Sequence, residues 1–165
     1  MISLKITDVK SFMSKLLANT LFDEFVLREM DIQTFTSFSV SGQFYKNFFS
    51  KEELEERSIE DAVLWGEVRG IAFAVIKGNK SPLLMKIVFQ LPKNQTDRFV
   101  DGLGGKLTSE DVGGLYLNIW FEKSELHIIT GTAIKTFTLD KTIETEWDTW
   151  VKRFLSSQNI SFEEE

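Results

Sequence analysis

From Leu115 to Phe121 and again from Leu126 to Gly131, apolar and polar residues alternate, and only four residues separate the two runs. Period two is the mark of a strand with unlike faces, and runs this close pair as a hairpin. Aligning Phe121 with Leu126 sets Ile119 opposite Ile128 on a core face. The same register sets Trp120 opposite His127 on the other face. Whatever else this chain does, it must build an antiparallel sheet around that ribbon. Tyr116, Trp120 and Ile129 then stand away from the main core. A helix covering them is the favoured expectation; an apolar contact surface is the alternative.

The remaining elements follow from periodicity. Ile2, Leu4 and Ile6 alternate as a short strand, after which Thr7 or Asp8 can cap a helix. Val9, Phe12, Met13, Leu16 and Leu17 recur at helical spacing, with Asn19 as a stop. Val26 to Val40 returns to period two, as one long strand or two bent ones, ended by Gly42. Ser50 and Glu53 have the spacing of a capping box, and Phe49 and Leu54 that of a hydrophobic staple. Trp65, Val68, Ala72, Val75 and Ile76 make a helical stripe. A break at Gly70, with a strand over residues 71–76, is the alternative. Leu83 to Leu91 reads as a strand. Thr96 is placed to cap a short helix carrying Phe99, Val100 and Leu103. Five of the ten glycines fall within residues 102–114 and mark a mobile polar loop from Gly104 to Gly114. Ile134 to Leu139 reads as a further strand. Ile143, Trp147, Trp150, Val151, Phe154 and Leu155 form a last helical stripe.

Runs of strands joined by short turns indicate α+β, a mostly antiparallel sheet with about four helices packed on it. At 165 residues the chain is one compact domain. Strand, helix and alternating strands occur twice, so two similar halves, about 1–91 and 92–165, are the alternative division.

Composition narrows the chemistry. There is no cysteine, which excludes disulfides and thiolate metal sites. The longest uninterrupted apolar run, Ile71 to Ile76, is far short of a membrane span, and the first residues lack the apolar core of a secretory signal. A cytoplasmic protein without membrane contact is expected. Net charge is −6, against tight indiscriminate binding of nucleic acid. Residues 77–106 nonetheless carry six basic and two acidic side chains. Lys77, Lys80, Lys86, Lys93, Arg98 and Lys106 thus form a positive band on a negative body.

Catalytic motifs fail on inspection. Gly105-Lys106 has Val100 and Leu107 where a phosphate loop needs glycine and a hydroxyl residue. Gly102 and Gly104 follow a helix, not a strand, and Leu107 stands where a dinucleotide fingerprint needs its third glycine. His127 is the only histidine, too little for a usual zinc site, and no Gly-x-Ser-x-Gly elbow accompanies it. Glu52, Glu53, Glu55 and Glu56 lie on an exposed helix, where nothing separates their pKa values. No cofactor and no catalytic or metal-binding residue is assigned.

Three segments carry a resemblance. They are Trp65-Gly66-Glu67-Val68-Arg69 through Ile76-Lys77-Gly78, then Pro82 and Lys86-Ile87-Val88-Phe89, and finally Phe137-Thr138-Leu139-Asp140-Lys141 with Trp147-Asp148 and Phe154-Leu155. With the opening segment they resemble a family of small uncharacterised proteins of Firmicutes-type bacteria, over nearly the whole chain. That family implies no activity. In element order and in the Leu115–Gly131 hairpin, the chain is also faintly similar to one domain of the DNA sliding clamps. The leading expectation is a non-enzymatic interaction module that binds an acidic protein or nucleic acid through the basic band. The alternatives are a ligand-binding protein or enzyme with a pocket near Trp120 and His127, and a clamp-like domain in a homo-oligomer.

Overall fold

A computed structural model describes residues 1–57, 61–76 and 80–165. Seven strands form one sheet: β1 Ser3–Ile6, β2 Val26–Gln33, β3 Ser37–Val40, β4 Leu84–Gln90, β5 Val112–Glu122, β6 Glu125–Ile134 and β7 Phe162–Glu164. Their spatial order is β3-β2-β4-β5-β6-β1-β7, with every neighbouring pair antiparallel. The helices are α1 Val9–Leu17, α2 Lys51–Glu56, α3 Trp65–Ile76, α4 Lys93–Gly102 and α5 Thr142–Ser157. This is the α+β architecture that the alternation implied.

The hairpin register is the expected one, with Phe121 opposite Leu126, Ile119 opposite Ile128 and Trp120 opposite His127. Met85, Ile87 and Phe89 of β4, Leu117 and Ile119 of β5, and Leu126 and Ile128 of β6 point to one side, where all are buried. Phe12 and Leu16 of α1, Trp65 and Ala72 of α3, and Trp147 and Val151 of α5 close over that side in a single core. Phe22, Phe25 and Phe89 pack as a ring cluster at its centre, with centroids 5.6–5.9 Å apart. The buried apolar side chains of α1, α3, α4 and α5 all belong to this one core, and Tyr116, Trp120 and Ile129 are not among the residues packed against it. Tyr116, Trp120 and Ile129 are therefore not roofed by a helix. They are half-buried.

The period-two run from Val26 to Val40 is two strands, turning at Thr34-Phe35-Thr36. Gly42, just beyond, has φ +70°, and a Cβ there would sit 2.4 Å from the Leu27 carbonyl oxygen. Asp8 is the cap of α1, accepting from the Ser11 amide at 3.0 Å. Ser50 and Glu53 make the expected capping box on α2. Residues 71–76 are helical, since α3 runs unbroken through Gly70.

Three expectations need correction. Ile134 begins no new strand: it ends β6, paired with Val112, the first residue of β5. The Lys135 N–H still donates to the Asp111 carbonyl at 2.7 Å, but no strand pairing continues past it among the described residues, and Phe137 and Leu139 are 94% and 85% exposed. Thr96 does not cap α4. The helix starts at Lys93 after Pro92, and the buried Thr96 hydroxyl donates to the Leu91 and Pro92 carbonyls at 3.1 Å. The glycine-rich loop is shorter than its composition suggested. A turn at Ser109–Asp111, locked by a Thr108–Asp111 capping box, leads into β5, so Gly113 and Gly114 lie in the strand at an irregularity in its pairing.

A strand–helix–hairpin run occurs twice, over β1, α1, β2 and β3 and over β4, α4, β5 and β6. The two runs share one sheet, with β1 held between β6 and β7.

Candidate functional site

The uncovered side of the sheet can be read directly from the ladders. Asp31, Lys86, Trp120, His127, Lys5 and Glu163 stand in line across six adjacent strands. Lys86 reaches Glu29 at 3.4 Å, and Lys5 reaches Glu125 at 3.3 Å. The Ser39 hydroxyl donates to Asp31 and is the main reason its carboxyl lies below its usual range; the charge of Lys86 is a lesser cause. His127 Nε2 lies 3.0 Å from a Glu165 carboxylate oxygen, and the Trp120 indole N–H donates to Glu122 at 3.3 Å. Five carboxylates of the strands, those of Glu29, Asp31, Glu122, Glu125 and Glu163, share this side with Lys5 and Lys86. The face therefore carries more acidic than basic side chains of the strands.

The basic band is dispersed by the fold. Lys77 lies outside the described residues. Lys86 stands on the acidic face. Lys80 precedes β4, whereas Lys93 and Arg98 follow it, and the strand between holds the two groups about 20 Å apart. Lys93 is paired with Asp97 on the next turn of α4 at 2.9 Å, which raises its pKa. Arg98 donates to the Asn94 carbonyl of its own helix at 3.4 Å. Lys106 is exposed in the loop after α4, near Asp140.

Two surface cavities stand out by size, and neither is lined by Trp120 or His127. One, of about 430 Å³, lies under the exposed loop before α5. Its lysines Lys135 and Lys141 share it with Asp140 and Glu144, so its charge is largely internal. The other, of about 610 Å³, lies between α1, the end of α3 and the edge of the β5–β6 turn. Its apolar walls are Val9, Met13, Leu17, Ile76, Pro82 and Phe121. Lys10, Lys80, Ser81 and Ser124 supply its polar groups, and no carboxylate is among its described lining residues. Lys10 and Lys80 form no ion pair among the described residues.

The cleft walls are fastened to each other. The last carbonyls of a helix lack partners within it. At the end of α1, the Trp65 indole N–H donates to the Leu16 carbonyl at 2.9 Å, and Arg69 Nη1 donates to that of Leu17 at 3.4 Å. Arg69 also grips the Asp23 carboxylate with two nitrogens, at 2.8 and 3.2 Å. Here α3 serves as the C-terminal cap of α1. Sequence reasoning singled out Lys80 but missed Lys10, whose signal was a lysine flanked by Val9 and Met13 on the apolar stripe of α1.

Among the described residues no group of three histidine, cysteine, aspartate or glutamate side chains is placed to hold a metal ion. No helix of the described residues is long and apolar enough to cross a membrane. No curated protein and no solved structure matches the chain, so the sliding-clamp likeness gains no support from either. One family does match, over residues 15–163, which takes in β2 to β6, α2 to α5, most of β7 and only the last three residues of α1. The chain belongs to that family, which is described as a family of unknown function (DUF5721).

Proposed function

We propose that this protein is a non-enzymatic binding module whose anionic partner enters the cleft between α1 and α3. The observation that carries the reading is the lining itself: two lysines that form no ion pair among the described residues, and two hydroxyls, over an apolar bed, with no acid among the described lining residues. A site that takes an apolar group and a negative charge needs these components. The expected basic band contributes through Lys80, joined by Lys10 from a distant part of the chain. The acidic sheet face argues against nucleic acid as the partner on that side.

The test uses 8-anilinonaphthalene-1-sulfonate, an apolar ring system bearing one negative charge. Its fluorescence is expected to rise on binding to the whole protein, and the affinity to fall about tenfold in the variant Lys10→Glu, Lys80→Glu. Both lysines are exposed, so the fold is expected to survive, which circular dichroism checks. Equal affinity for the wild type and the folded variant would refute the assignment.

A further inference from the structure

The cleft is polarised along its length, and that polarity selects a shape of ligand. Lys5 of β1 pairs with His127 of β6, so the end of β1, and hence the start of α1, lies beside the β5–β6 turn at Lys123-Ser124. Leu84, the first residue of β4, pairs with Glu122 beside the same turn, which brings Lys80 and Ser81 there too. Lys10, Lys80, Ser81 and Ser124 therefore gather at one mouth. From that mouth α1 leads inward past Val9 and Met13 to Leu17, about 12 Å further along the helix. The far end is where Trp65 and Arg69 tie α3 to α1. Past the mouth, the described lining side chains are apolar.

We infer that the occupant is a single-chain amphiphile with a carboxylate head, a medium-chain acyl anion. The inference rests on the proposed cleft being a binding site. The head would sit between the two ammonium groups and accept from them and from the serine hydroxyls, each of which can donate to an oxygen anion. The tail would run between Val9, Met13, Leu17 and Ile76, where an unbranched chain needs no polar partner. An extended peptide fits worse, because its backbone N–H groups would meet no acceptor side chain there. Met13 is suited to a flexible tail, being itself unbranched and adaptable.

The experiment is a calorimetric titration of the whole protein with decanoate below its micellar concentration, beside decanol and an alternating Glu-Leu peptide. Decanoate is expected to bind, to displace anilinonaphthalene sulfonate and to lose at least tenfold in affinity in the Lys10→Glu, Lys80→Glu variant. Decanol is expected to bind at least tenfold more weakly, since it lacks the charge. Met13→Trp, which fills the channel from its wall, is expected to weaken decanoate while leaving the circular dichroism spectrum unchanged. If the dye binds in the cleft but decanoate does not displace it, the acyl assignment falls and the cleft remains a site. If the dye does not bind at all, both readings fall. Displacement by the peptide without displacement by decanoate would also overturn the acyl assignment, as would association only with anionic phosphatidylglycerol vesicles.

Discussion

At the scale of single residues, Trp65 does the most varied work. Its ring is fully buried and meets Phe89 edge-on at 5.2 Å, while its N–H satisfies the Leu16 carbonyl. Trp65→Phe keeps much of the apolar surface but leaves that carbonyl unpaired, and a loss of about 1–3 kcal/mol is expected in urea denaturation. An unchanged midpoint would show that the carbonyl has another partner. Arg57 provides a second case. Its guanidinium lies 4.9 Å from the ring centroids of both Phe44 and Phe49 and grips Glu67 through two nitrogens. That grip, first among the causes, holds the Glu67 carboxyl below its usual range. A carboxylate with a depressed folded pKa adds stability above its unfolded pKa, of about 4.3, and that stability drains away as pH falls through the folded value. Glu67→Gln should therefore cost stability at neutral pH, and the gap to the wild type should close on acidification below about pH 4. Denaturation midpoints at a series of pH values measure this, and a gap independent of pH would contradict it.

At the scale of elements, α2 and the loop before α5 make opposite cases. The box of Ser50 and Glu53 holds α2, yet α2 buries no side chain. Ser50→Ala should cost the helix about 1 kcal/mol, seen as faster amide exchange across residues 51–56, while the global melting temperature barely moves. The loop has the reverse appearance. Phe137 and Leu139 have the composition of a core strand but stand in solvent, and replacing both by serine should change stability by no more than about 0.5 kcal/mol. A much larger loss would mean that they pack in the folded chain. The contrast explains which elements were legible in the sequence. The β5–β6 hairpin could be placed to the residue because both strands alternate and each constrains the other. Residues 134–139 were misread because apolar content marks a strand only where a partner strand lies alongside, and pairing partners are not written locally. Thr96 misled for a similar reason: its hydroxyl caps helices well, but Pro92, four residues earlier, had already ended β4 and turned the chain. The cleft was the least legible feature, because Lys10, Ile76, Lys80 and Ser124 come from four separate segments that only the sheet order brings together.

At the scale of the whole molecule, the interleaving of the two strand–helix–hairpin runs governs how the protein unfolds. With β1 lodged between β6 and β7, neither run can leave without tearing the sheet. One cooperative transition is expected, with far-ultraviolet circular dichroism and tryptophan fluorescence coinciding through a urea titration. Two separated transitions would instead reveal halves that fold on their own. The same arrangement leaves a one-sided sheet whose open face is acidic and whose cleft lies at one end of the helical layer, so the charge of the molecule is sorted by surface.

The ties from Trp65 and Arg69 to the tail of α1 have a thermodynamic consequence. A guest of the proposed cleft would meet α1 and α3 already joined to each other, so it would spend little of its affinity on assembling those two walls. Its heat of association should then vary with temperature as expected for desolvating hydrocarbon alone, with a modest negative heat-capacity change and no larger signature of coupled folding.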